Sequence, residues 1–445
     1  MKINYKILAV LLVVSAMSCK KLDQEPLNLL SSSALTEYDG VLNAAYYYQL
    51  GAVTPMAVMG DFRADNAYME EAPFDDFDKF TPGLTSQENQ FFGPFYTALY
   101  KSILSANNVI ENSTNANQVA EAKFLRGLSY FKLVQVFGDV TVNLLSEPDI
   151  SDLTALERQA ASTVYNTVII PDLTDAMNGL SATIKNGRAS KYAAQGILGK
   201  VYMHMGNFSM AQTHLAAVVS GAGGAGISLQ ANFADIFGES NDLNSEIIFA
   251  TQVSSSIVDE YGFSEFWSWS GGLDTKSLTP LDPSKGPTII AAFNANVGDL
   301  RTAVSVDTVT FGSPKFPQTG GPDHDWIELR LADVILLLAE ALNETTNASG
   351  ANSASILTSL DAIRTRANLS SLSGTAISQA DVREAIANER RLELAFEGHR
   401  WFDLVRTGKV DAAMGTTVNS NYHLFPIPVS EILASFNTIT QNPGY

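Results

Sequence analysis

Between Ile197 and Val219 the chain reads "ILGKVYMHMGNFSMAQTHLAAVV", and the order of large and small residues there admits very few folds. Leu198, Gly199, Tyr202, Gly206, Phe208, Ala211, Leu215 and Val218 stand at the offsets of a tetratricopeptide repeat, helix–turn–helix. Small residues at Gly199 and Ala211 let two helices approach closely, and Gly206 turns the chain between them. One such hairpin cannot bury its own apolar face, so it needs neighbouring hairpins to stack on.

Those neighbours are legible more loosely. Helical apolar spacing runs through 94–112, 117–137, 160–180, 190–220 and 326–344, and continues through 353–368 and 378–407. The looser copies of the hairpin fall at 94–137, at 326–367 and in parts of 378–407. The expectation is a mainly α chain of degenerate tetratricopeptide-type hairpins near 94–137, 160–220 and 326–407. The stretches between them, 50–93, 222–325 and 409–445, are rich in Gly, Pro, Asn, Asp and aromatics and read as long irregular loops. Ser245–Val253 and Thr302–Phe311 read as short strands within them. With 445 residues, 46% of them hydrophobic, the chain can bury a large core.

The first residues, "MKINYKILAVLLVVSAMSC", carry an address. Lys2 and Lys6 precede a short apolar run, Ile7 to Val14, too short to span a bilayer. Cys19, the only cysteine, follows Ala16-Met17-Ser18, and a lone cysteine forms no internal disulfide. This resembles a lipobox, with Ala16 where leucine is more usual, whose cysteine is acylated and tethers the protein to a membrane; a plain secretory peptide with an incidental cysteine is the other reading. We therefore expect a signal peptide at 1–18, a flexible lipidated tether at 19–33 and a single domain from 34 to 445. The formal net charge is −19, about −21 once the two leader lysines are removed, which argues against a nucleic-acid partner.

"NERRLELAFEGHRWFDLVRTG", Asn388 to Gly408, gathers residue types used in active sites. On a helix Glu389, Glu393 and Glu397 fall at i, i+4, i+8, with Arg390 and Arg400 three residues from Glu393 and Glu397, and His399, Asp403 and Arg406 continuing the pattern. Three carboxylates on one stripe, interleaved with arginines, suit helix-to-helix ion pairs. A metal site wants ligands converging without cations, and a glycosidase wants two carboxylates across a cleft. The stretch reads as a strut.

Other candidates are weaker. "GAGGAG" (Gly221–Gly226) follows a helix, so it is a helix stop and not a dinucleotide loop. "EEAPFDDFDKF" (Glu70–Phe80) lacks the glycine and later glutamate of a calcium loop and reads as a solvated acidic loop. "GGPDHDW" (Gly320–Trp326) could hold a ligand or simply make a turn before the helix expected at 327. None of the five histidines sits in a nucleophile motif, no cofactor motif occurs, and the chain does not read as an enzyme. "YGFSEFWSWSGG" (Tyr261–Gly272) is different: Trp267 and Trp269, two apart, share one side of an extended segment with Tyr261 and Phe263 close by. Rigid aromatics on a polar loop suit a stacking platform for a planar or sugar-like ligand, a satellite core cluster beneath the loop and a partner-facing patch being the other readings. "GDFRADNAY" (Gly60–Tyr68) is the second candidate. Arg63, Asp65 and Asn66 could bond hydroxyls beside Tyr68, or could equally fix a loop to the helical body.

Over almost its whole length the chain resembles the SusD/RagB outer-membrane nutrient-binding lipoproteins of Bacteroidetes. The resemblance is carried by "EAKFLRGLSYFKLVQVFGDV" (Glu121–Val140), "LRLADVILLLAEALNE" (Leu329–Glu344) and "AIRTRANL" (Ala362–Leu369). "ERRLELAFEGHRWFDLVRTGK" (Glu389–Lys409) and the ending "FPIPVSEI…QNPGY" complete it. It implies a SusD-like α fold and a lipid-anchored place on the outer face of the outer membrane. It also implies a SusC-like TonB-dependent transporter as partner and an oligosaccharide as ligand, held by loop aromatics. A peptide-binding lid on the same transporter, a surface glycoside hydrolase and a structural repeat adaptor are the rival readings. The segment after Cys19 departs from the family pattern, with Lys20-Lys21 preceding Asp23 and Glu25.

Overall fold

Side chains cap several of the helices at their N-terminal ends. Asn115 accepts hydrogen bonds from Asn117 and Gln118 N–H, Ser190 from Ala193, Asn207 from Met210 and Ser378 from Asp381. The computed structural model describes residues 37–69, 72–149, 151–184, 187–254, 282, 284, 288–309, 311–316, 324–373 and 378–445. Cys19 and the tether lie outside the described residues, as does the segment carrying Tyr261, Phe263, Trp267 and Trp269. Asp39–Tyr445 packs as one unit.

The helices follow one another around that unit. They are α1 (Asp39–Tyr47), α2 (Gly93–Asn112), α3 (Ala116–Phe137), α4 (Ile170–Gly179), α5 (Lys191–His204), α6 (Phe208–Gly221), α7 (Leu331–Thr346), α8 (Ser353–Arg366) and α9 (Gln379–Glu393). Each packs chiefly on the next in this series, and α9 lies across both α7 and α8. The expected hairpins are therefore α2/α3, α5/α6 and α7/α8. In α5/α6 a Cβ on Gly199 would lie 2.4 Å from Leu215, and Tyr202 stacks on His214 with ring centroids 5.5 Å apart. Gly206 turns the chain at φ +69°. Leu336, Leu357, Leu360, Val382 and Ile386 close the core between α7, α8 and α9.

Three expectations change. Residues 326–330 are a strand, β2 (Trp326–Arg330), not the start of a helix; it pairs antiparallel with β1 (Ile247–Thr251), in register Ile247↔Arg330 and Thr251↔Trp326. All five β2 residues are buried, so no alternation marks them as strand. Thr302–Ser305 is a helical turn, not part of a strand, because Asp299 accepts the Thr302 N–H through its carbonyl and the Arg301 N–H through its carboxylate. The region 50–93 is not an open loop but a run of short helical turns, among them Val53–Ala57, Val58–Phe62 and Asp76–Lys79. At the C-terminal side α9 ends at Glu393, and the chain turns before α10 (Arg400–Thr407) and α11 (Val410–Met414). Gly226, at φ +76°, closes the loop after α6 as the glycine run predicts.

Candidate functional site

The charged stretch is the interior of the molecule. Glu389, Glu393 and Glu397 are at most 2% exposed. Only the first two share a helix, since Phe396 and Gly398 adopt φ of +67° and +75° and break it. Glu397 still joins them by way of the turn. Five cations, Arg301, Lys315, Arg330, Arg364 and Arg366, meet five carboxylates there: Glu246, Asp299, Glu389, Glu393 and Glu397. Burial pushes the Glu393 carboxyl up, but Arg330, Arg366 and Arg301 outweigh it and hold it down at about 2. A carboxylate so strongly ionised is no general acid.

A second network continues outward. Arg390, Arg406 and Lys200 pair with Asp333, Asp403 and Glu340, again three against three. Burial, then Lys200, lowers His399 to about 4 despite Asp333, and burial lowers His204 to about 3, so both rings are neutral near pH 7. The two rings face a cavity of only about 50 Å³. Among the described residues no group of three or more His, Cys, Asp or Glu is placed to hold a metal ion.

What breaks the helix at 394–399 is the segment 60–66. Asp61 accepts the Phe396 N–H at 3.2 Å and the Gly398 N–H at 2.7 Å, and Asn66 Nδ2 donates to it at 2.8 Å. Gly60 lies against Gly398 so closely that a Cβ would fall 2.3 Å from the Gly398 carbonyl. Arg63 is fully buried: it donates to the Phe77 and Tyr422 carbonyls and lies over the rings of Phe80, Trp401 and Phe425. Asp65 receives both Arg391 and Arg400, and Asn66 Oδ1 accepts from Arg391.

So Arg63, Asp65 and Asn66 do not stand in an open loop ready for ligand hydroxyls. Of the two uses open to them in the sequence, these bonds are the one that fixes a loop to the body, because each makes its hydrogen bonds inside the protein. Tyr68 is half-buried. The acidic loop is likewise only partly solvated: burial raises Asp78 to about 7, although the Met69 N–H and Arg63 oppose it.

The aromatic segment lies outside the described residues, but both its flanks are tied down. On one side the Val253 N–H donates to Asp325 Oδ1 at 2.9 Å, and the Asp325 N–H to Asp242 at 3.2 Å. On the other the Ile289 N–H donates to the Asn66 carbonyl at 2.9 Å. Thus Asn66 joins the return of that segment to Arg391. Beside them opens a cleft of about 530 Å³ between α7, α9, α10 and α11, lined by Arg383, Arg391, Arg400 and Lys409. Sequence reasoning passed over this cleft; its one signal was Arg383, Ala387 and Arg391 at i, i+4, i+8 on α9.

Residues 288–445 match the family model described as "SusD family", and residues 19–203 a second one described as "Starch-binding associating with outer membrane". Over 99% of its length the chain is 25% identical to SusD-like protein P2 of Formosa agariphila, all of which is covered. A SusD superfamily protein from Parabacteroides distasonis superposes with a TM-score of 0.76 at 22% identity, covering 94% of this chain and 100% of that one. A laminarin-binding SusD-like protein superposes with a TM-score of 0.69 at 26% identity, covering 92% and 99%.

Proposed function

The chain belongs to the SusD/RagB family, and from that premise we propose that it is a non-catalytic glycan-binding lipoprotein of the outer membrane. Anchored through Cys19 and facing the cell exterior, it captures an oligosaccharide and passes it to a SusC-like TonB-dependent transporter. The likeness to a laminarin-binding protein along nine-tenths of the chain carries this reading. The charge pattern supports it, because the carboxylates of the Asn388–Gly408 stretch are tied to cations and leave no acid/base pair there.

Recognition then falls to Trp267 and Trp269, with Tyr261 and Phe263, in the segment whose flanks Asp325 and Asn66 tether. Each stacking contact contributes about 1 kcal/mol, which predicts modest affinity once ordering costs are subtracted. Affinity electrophoresis of the full chain in gels of laminarin, starch and acidic polysaccharides tests this, with Trp267→Ala and Trp269→Ala alongside. Retardation by at least one polysaccharide, weakened in both variants, is expected. Equal retardation of the variants removes the aromatic segment from the site, and no retardation in any gel overturns glycan binding.

A further inference from the structure

We propose that the cleft between α9, α10 and α11 binds the oxyanion groups, carboxylate or sulfate ester, of an acidic glycan. The inference rests on the glycan-binding reading and deepens it by naming a ligand class.

Three arginines carry it, and each is held the same way. Arg383 donates through Nε and Nη2 to the two oxygens of Glu344, at 2.8 and 2.7 Å. Arg400 donates through the same pair of nitrogens to Asp65, at 2.7 and 3.0 Å. Arg391 uses Nε on Asn66 and Nη2 on the Asp65 carbonyl and carboxylate. In all three the Nη1 group has no protein partner among the described residues. These are oriented donors, not flexible ones, because the other edge of each guanidinium is already locked. Their side chains are 39%, 18% and 14% exposed for Arg383, Arg391 and Arg400, so water-borne groups can reach them.

The charge balance favours an anion. One carboxylate, Asp65, answers two guanidiniums, and Arg391 and Arg400 therefore share a surplus positive charge. Burial lowers the Arg391 pKa, Asp65 opposes this, and Arg400 adds to it. A second anion between the two arginines relieves their repulsion. Glu340, Glu344, Glu384 and Asp403 also face the cleft, each already engaged by a cation. Lys409 stands at the mouth with a single bond, to the exposed Glu384 at 2.7 Å.

The shape suits a chain of sugars. Arg383 and Arg391 are eight residues apart on one helix face, about 12 Å along its axis, a span of more than one ring. Ala387, Ala412, Ala413 and Leu404 line the cleft with small apolar surface against which a sugar face can lie. The same Arg391 contacts Asn66, whose carbonyl holds Ile289 at the return of the aromatic segment.

The test is affinity electrophoresis of the full chain in gels of polygalacturonate (carboxylate alone), λ-carrageenan (sulfate alone) and laminarin (neutral). Arg383→Gln/Arg391→Gln is compared with wild type. Should that pair fail to fold, as its melting curve would reveal, Arg383→Gln/Lys409→Gln replaces it, since both side chains are well exposed. Expected is retardation of wild type by one or both acidic polymers, weakened about tenfold in the variant and by raising NaCl from about 0.05 to about 0.5 M. Any retardation by laminarin stays unchanged in the variant. The acidic polymer that retards tells carboxylate from sulfate. Retardation by laminarin alone, or equal retardation of variant and wild type in an acidic gel, overturns the cleft while leaving glycan binding intact. No retardation in any of the three gels overturns the cleft, and glycan binding falls with it when starch also fails to retard the chain.

Discussion

Arg330 and Glu397, 67 residues apart in sequence, meet through two parallel bonds, Nε to Oε2 at 2.7 Å and Nη2 to Oε1 at 2.8 Å. Each side chain is only 1% exposed. The end of a strand and a turn between two helices are thereby clamped together. Arg330 also reaches Glu246 and Glu393, so one guanidinium joins β2, the residue just before β1 and the end of α9.

Removing one member of this network leaves a buried charge without its partner. Glu393→Ala deprives Arg301, Arg330 and Arg366 of a shared carboxylate. We expect a loss of about 3–5 kcal/mol of unfolding free energy. Urea denaturation checks this, and a loss below about 1 kcal/mol would show that the network is dispensable.

The pH dependence has two limbs. Glu393 is depressed to about 2, so its contribution is complete above its ordinary value and is lost as pH falls from about 4.5 toward 2. Asp78 is raised to about 7 by burial, the opposite case: its protonated form favours the fold, and stability drains away as pH rises from about 4 through 7. Asp78→Asn is neutral throughout. The melting temperature of wild type relative to Asp78→Asn should therefore fall between pH 4 and 7, and parallel curves would contradict the assignment.

Gly60→Ala tests the docking of the 60–66 segment. The added methyl meets the Gly398 backbone at 2.3 Å, and neither partner is a side chain that can swing away. A destabilisation of about 3 kcal/mol is expected from such overpacking, read from the urea midpoint.

Cys19→Ala tests the tether. If the thiol is acylated, the variant should take up no labelled fatty acid and should leave the outer-membrane fraction, because no acyl chain remains to supply buried methylenes. A variant that stays membrane-bound would refute anchoring at this position.

The helices were legible because their causes are local: caps at Asn115, Ser190, Asn207 and Ser378, and apolar residues at helical spacing. The hairpin contact between Gly199 and Leu215 was legible for the same reason, being set within a few turns of one chain segment. The strut reading of Asn388–Gly408 also held, since arginines and carboxylates were already interleaved there. The identity of the partners was not legible. Nothing in residues 388–408 names Arg301, Lys315 or Arg330, and nothing in "GDFRADNAY" tells a ligand contact from a loop anchor.

By itself, then, the order of residues determined the helical hairpins, because these depend on neighbours a turn or two away, and it concentrated charge in 388–408 without naming the partners that pair it. Only the tertiary structure decided that α9 stops at Glu393, that 326–330 is a strand, and that Arg383, Arg391 and Arg400 share one cleft. Each of those depends on a distant group supplying a hydrogen bond, as Asp61 does for the Phe396 and Gly398 N–H groups. Long-range pairing of that kind leaves no periodic trace in the chain.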